Sequence, residues 1–105
     1  AAHADVHLAD AEGATALWHA AGGSADSITL LIDAGARPDI PNKACITPLM
    51  HAAESGDRAR CFALLNAGAL PTLKDSQGRT AADWAAQRAD EAGARCAALL
   101  ATAGG

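Results

Sequence analysis

The chain has no tyrosine, one phenylalanine and two tryptophans among its 105 residues. Without rings on which successive bases could stack, and with a formal charge of −4, it lacks both features that bind nucleic acid without sequence preference. Lysine and arginine are missing from residues 1–36, which carry Asp5, Asp10, Glu12, Asp26 and Asp33. All eight bases lie from Arg37 onward, among the other seven acids. An elongated fold would therefore be acidic at one end and near neutral at the other. No apolar run reaches membrane-spanning length, and no basic segment precedes a short apolar one, so neither a transmembrane helix nor a signal peptide is read. Three cysteines at wide spacings make neither a disulfide framework nor a C-x-x-C pair, which predicts a reducing, intracellular setting, cytoplasmic or nuclear. The chain opens on Ala1 without an initiator methionine, which predicts a fragment of something longer.

What is present is mostly alanine and leucine. Small side chains bury little area each, so a core must come from the close approach of many backbones. That favours packed helices over a sandwich or barrel.

The sequence also repeats. When "GATALWHAAGG", "CITPLMHAAESG" and "GRTAADWAAQR" are set under one another, Thr15, Thr47 and Thr80 fall 32 and 33 residues apart. After each threonine comes an i, i+3, i+4 stripe: Leu17, Ala20, Ala21; then Leu49, Ala52, Ala53; then Ala82, Ala85, Ala86. Threonine suits the N-cap, and Pro48 occupies the first helical position, where its missing N–H costs nothing. A second stripe follows in every unit: Ile28, Leu31, Ile32; Cys61, Leu64, Leu65; Cys96, Leu99, Leu100. The first two of these helices run into Gly35 and Gly68, which predict left-handed caps.

This pattern resembles the ankyrin repeat, D-x-x-G-x-T-P-L-H-x-A-A-x-x-G followed by L-L-x-x-G-A. The resemblance is carried by Asp10, Gly13, Thr15, Leu17, Ala20, Ala21, Leu31, Gly35 and Ala36 in the first unit. In the second it is carried by Thr47, Pro48, Leu49, Ala52, Ala53, Gly56, Leu64, Leu65, Gly68 and Ala69. Asp75, Gly78, Thr80, Ala85, Ala86, Leu99 and Leu100 carry it in the third. It implies an all-α solenoid of stacked helix-turn-helix units joined by β-hairpin-like loops. Residues 1–9 would be the tail of a preceding repeat, with repeats at 10–41, 42–74 and 75–105, the last of them a C-terminal cap. There are departures. The family's histidine after leucine is Trp18, Met50 and Asp83 here, which leaves its turn-bridging hydrogen bonds unassigned. Cys45 takes the turn-glycine slot, which predicts local strain. The first unit is one residue short between its helices and the third about two residues long.

Catalytic chemistry finds little support. Met50 shares its slot with Trp18 and Asp83, and His51 its slot with His19 and Trp84, ladders of unrelated types that read as packing with partial exposure. His19 and His51, on helices about 8–10 Å apart, are too distant for one tetrahedral ion, so no metal and no cofactor is expected. Cys61 and Cys96 fall in the buried stripe, as small core hydrophobes, and Cys45 is the one cysteine placed for reactivity. No nucleophile elbow, P-loop or dinucleotide fingerprint occurs.

The resemblance instead implies a non-catalytic module binding a protein partner in a concave groove of loop tips and first helices. Its contact slots fall on Ala11, Glu12, Ala14, Gly22 and Gly23; on Lys43, Ala44, Ile46, Glu54 and Ser55; and on Ser76, Gln77, Arg79, Gln87 and Arg88. Lys43, Ile46 and Arg79 are expected to have no role in packing, and Trp18 to lie partly buried against the next unit. Two rival readings are the regulatory or targeting arm of a larger enzyme, and a small inhibitor covering an enzyme's active face. A partial first repeat would leave Leu17, Ile28 and Leu31 uncovered, giving a face for weak self-association, while Arg95, Ala97, Ala98 and Thr102 form a tolerable C-terminal cap.

Overall fold

The computed structural model describes residues 9–88 and 90–104. Six helices follow one another: α1 (Ala16–Ala20), α2 (Ala25–Asp33), α3 (Pro48–Ser55), α4 (Arg58–Asn66), α5 (Ala81–Ala86) and α6 (Glu91–Gly104). They pack as pairs, α1 with α2, α3 with α4 and α5 with α6. Each short first helix also meets the next first helix, and each second helix the next second helix. The arrangement is all-α and consistent with stacked repeats. Apart from Ala9, the stretch read as the tail of a preceding repeat lies outside the described residues.

Local chemistry sets the helix starts. Thr15, Thr47 and Thr80 are the N-caps of α1, α3 and α5, their hydroxyls accepting from the N–H groups of Trp18, Met50 and Asp83. Ser24 and Asp57 do the same for α2 and α4. Such caps are each worth about 1 kcal/mol. The second helices of the first two units end alike. Gly35 N–H donates to Ile32 O and Ala36 N–H to Leu31 O; Gly68 N–H donates to Leu65 O and Ala69 N–H to Leu64 O. Gly35 and Gly68 have φ of +99° and +98°, the left-handed step that this double cap requires.

The core is the repeated stripe closed on itself. Leu17, Ile28, Leu49, Met50, Leu64 and Leu100 are fully buried, with Ala21, Ala52, Ala53, Ala85, Cys61 and Cys96 packed among them. Two expectations change here. Met50 is completely buried rather than partly exposed, its sulfur accepting from Thr47 N–H at 3.4 Å. Ala86, the last member of the third stripe, is exposed, and Ala82 is only partly buried.

The expected β-hairpins are absent among the described residues; one isolated antiparallel bridge joins Ala9 and Thr15. Each loop tip is instead a five-residue turn closed by a side chain. Asp10 Oδ1 accepts from Glu12 and Ala14 N–H, Asn42 Oδ1 from Ala44 and Ile46, and Asp75 Oδ1 from Gln77 and Arg79. With the amides turned inward to one oxygen, too few remain for a ladder. The fourth residue of each turn is left-handed: Gly13 at φ +78°, Cys45 at +64° and Gly78 at +77°. Cys45 is the one non-glycine with positive φ among the described residues, so the strain expected at that slot is present.

Candidate protein-binding surface

Successive tips are bonded edge to edge. Lys43 N–H donates to Glu12 O at 2.9 Å, and Ser76 N–H donates to Ala44 O at 3.3 Å, the same pair of slots one unit on. Turn, tip bond and N-cap therefore recur in one register through all three units. Along this edge Ala11, Glu12, Lys43, Ala44, Ser76 and Gln77 are exposed. Beyond the first helices, Gly22, Gly23, Glu54 and Gln87 are exposed and Ser55 is partly so.

Several sequence-predicted contact residues have structural partners instead. Ala14 is buried, so its side chain offers no contact surface. Ile46 is partly buried and packs against the core, and its carbonyl accepts from Trp18 Nε1 at 2.8 Å; the aliphatic residue at this tip has a packing role after all. Arg79 is also engaged. Its Nε donates to Asp75 Oδ2 at 2.9 Å while the guanidinium lies 4.2 Å over the Trp84 ring, whose Nε1 donates to the same oxygen at 3.0 Å. Burial of Asp75 alone would raise its pKa, but the Arg79 and Gln77 amides and the Arg79 guanidinium outweigh it and hold the carboxyl below its usual range. Arg88 is clamped by Asp90 at 3.2 and 2.7 Å and reaches Glu54 O at 3.4 Å, its side chain covering Gly56. Ser55 Oγ donates to Ala52 O and accepts from Arg60, which also bonds Asp57 and Ala21 O, so α4 is tied to the end of α1.

Trp18 and His51 form the floor between the first two units. Their rings stack at 4.0 Å with planes 9° apart, and His19 meets Trp18 edge-on at 5.5 Å. Trp18 is partly buried against the second unit, as the sequence predicts, and its indole N–H bridges to the next turn at the Ile46 carbonyl. His19 Nε2 is bonded to Asp10 Oδ2 at 2.8 Å, which holds the Asp10 carboxyl below its usual pKa. Burial lowers the His51 pKa, opposed by Glu54, whose carboxylate lies 3.9 Å away. Neither Asn42, which closes the central turn, nor the stack was found in the sequence. Asn42 stands in the slot of Asp10 and Asp75, and that register was its available signal.

These arrangements hold rings and turns in place. No cluster of three or more His, Cys, Asp or Glu placed to hold a metal occurs among the described residues. Cys61 and Cys96 are both free thiols in the core, and burial raises the pKa of each.

Residues 12–43 match the ankyrin-repeat family. The match runs from the first tip to the second, so this stretch is similar to an ankyrin repeat. No curated protein matches the chain. No helix among the described residues is long and apolar enough to cross a membrane.

Proposed function

We propose that the chain is a protein-binding scaffold of three ankyrin repeats, at 10–41, 42–74 and 75–105, with the tail of another at 1–9. It recognises an intracellular protein partner along the edge formed by the tips and the ends of the inner helices. The observation that carries this reading is the tip-to-tip register. Lys43 N–H to Glu12 O and Ser76 N–H to Ala44 O hold exposed side chains in a row on a rigid support. Glu12, Lys43, Ala44, Glu54, Gln77 and Gln87 are the contact residues, with the exposed edge of Ser55. Arg79 and Arg88 contribute through their stems, since their charged heads are paired within the chain.

The test is capture from lysate by the parent, a tip variant (Glu12→Lys with Lys43→Glu) and an outer-face control, Phe62→Ser. The tip variant should keep its helical circular dichroism and melting temperature and lose at least about tenfold in affinity, ~1.4 kcal/mol. Capture undiminished in the tip variant but lost in the control would move recognition to the outer helices.

A further inference from the structure

Phe62 on α4 is 59% exposed although that helix packs against α2 on one side and α6 on the other, so it stays exposed with both neighbours in place. The same slot holds Thr29 in α2 and Ala97 in α6, so the repeat itself calls for no large ring here. Thr29, with Ile32 and Asp33, lines a groove of about 140 Å³ that faces Ala63, Asn66 and Ala67 of α4. One unit on, Phe62 takes the slot of Thr29, and Ala98 and Thr102 those of Ala63 and Ala67. The recess there is larger, about 350 Å³, and Arg58, Arg95, Ala98, Leu99 and Thr102 line it. Phe62, Ala59 and the same Arg58 line an adjoining recess, so the two are joined at Arg58.

Charge on these walls is of one sign. Four arginines, Arg58, Arg60, Arg88 and Arg95, lie on α4, on α6 and just before α6. Three are paired off: Arg60 with Asp57, Arg88 with Asp90 and Arg95 with Glu91. Arg58 makes no ion pair among the described residues and is the surplus cation. It stands in the first turn of α4, where the helix dipole repels a cation, so its placement does not serve the helix.

We infer that this α4–α6 recess docks an amphipathic helix of an acidic partner protein, an apolar residue of which packs on Phe62 and Leu99 while a carboxylate one turn away pairs with Arg58. The spacing follows from the chain itself, since Phe62 lies one turn beyond Arg58. A helix fits better than an extended segment. The walls are helix sides whose backbone groups are already bonded, so they offer nothing to the free amides of a strand. One helix in a shallow recess buries less than the roughly 1,200 Å² of a stable interface, so binding is weak and salt-sensitive. The inference does not rest on the tip-edge reading, since it uses neither the tips nor the inner helices.

Fluorescence anisotropy with two labelled, lactam-stapled helical peptides tests it. One carries glutamate one turn before leucine, and its twin has lysine in place of the glutamate. The parent chain should bind the glutamate peptide at least about tenfold more tightly than the twin in low salt, and raising NaCl to about 0.5 M should erase most of that preference. Phe62→Ser should weaken the glutamate peptide about tenfold, and Arg58→Glu should reverse the preference between the two. The tip variant, Glu12→Lys with Lys43→Glu, should bind both peptides as the parent does. Circular dichroism checks each fold, and Phe62→Gln replaces Phe62→Ser if the latter unfolds. No binding, equal binding of the two peptides, or a preference unmoved by Arg58→Glu overturns the inference. Binding lost in the tip variant overturns it too, by placing the peptide on the tips. So does a parent that self-associates in sedimentation velocity while Phe62→Ser stays monomeric, since the occupant would then be a second copy.

Discussion

The central unit and its two neighbours carry the same stripe and bury it differently. Leu49, Met50, Ala52, Ala53, Cys61 and Leu64 in the middle are at most 1% exposed, and Leu65 is partly buried. In the first unit Leu31 and Ile32 are only partly buried, and in the third Ala82 and Leu99 are partly buried and Ala86 exposed. The expectation that Leu17 and Ile28 would be uncovered is wrong: both are buried against their own unit and the next, and the exposed residue is Leu30. A neighbour on each side deepens burial in one slot, Leu64 against Leu31 and Leu99, but not in every slot, since Leu100 of the third unit is buried where Leu65 of the middle one is only partly so.

The sharpest break of that comparison is leucine truncation. Leu64→Ala should cost about 2–4 kcal/mol, and Leu31→Ala or Leu99→Ala about half as much, read from urea melts. Equal costs would mean that the end units are as well packed as the middle. Cys61→Ala removes a fully buried sulfur and should cost about 1 kcal/mol, and the exposed Cys45→Ala less.

A pH series separates the units by a different route. His51 has a folded-state pKa below its ordinary 6.5, so its contribution to stability is complete above that value and is lost as pH falls through the folded value. Melting temperature should fall between pH 7.5 and 5, and His51→Gln should flatten that fall. Asp75, whose carboxyl is held low, contributes in the third unit above the ordinary carboxylate value near 3.8 and is lost only as pH drops further, through its folded value. If the acid limb seen in His51→Gln is unchanged by Asp75→Asn, that assignment fails. The smallest effect is expected at the tips. Lys43→Glu should move stability by no more than about 0.5 kcal/mol, whereas Ile46→Asp and Arg79→Glu, which disturb packing and the Asp75–Trp84 cluster, should each lower the melt further.

Features that depend on a few adjacent residues were legible in the sequence. The threonine caps, Pro48 at the first helical position, the glycine caps and both apolar stripes follow from local spacing, and the strained Cys45 from its slot between Gly13 and Gly78. What stayed hidden depends on partners far along the chain. Trp18 bonds across 28 residues to the Ile46 carbonyl, and Arg60 across 39 to that of Ala21. The roles of Ile46 and Arg79 were misread because a tip seen one unit at a time shows no neighbour. The hairpins were misread because a side chain took up the amides that a ladder would have used.

Gly22 shows one consequence of this dependence on neighbours. A Cβ built there would lie 2.3 Å from Nε2 of His51, so the space is already filled by the ring that stacks on Trp18. The tolerance of position 22 is therefore written at position 51. Any side chain at 22 should be rejected while His51 is present and accepted once it is replaced by a smaller residue. The two sites should behave as an epistatic pair, with Gly22→Ala costly in the parent and nearly silent in His51→Ala.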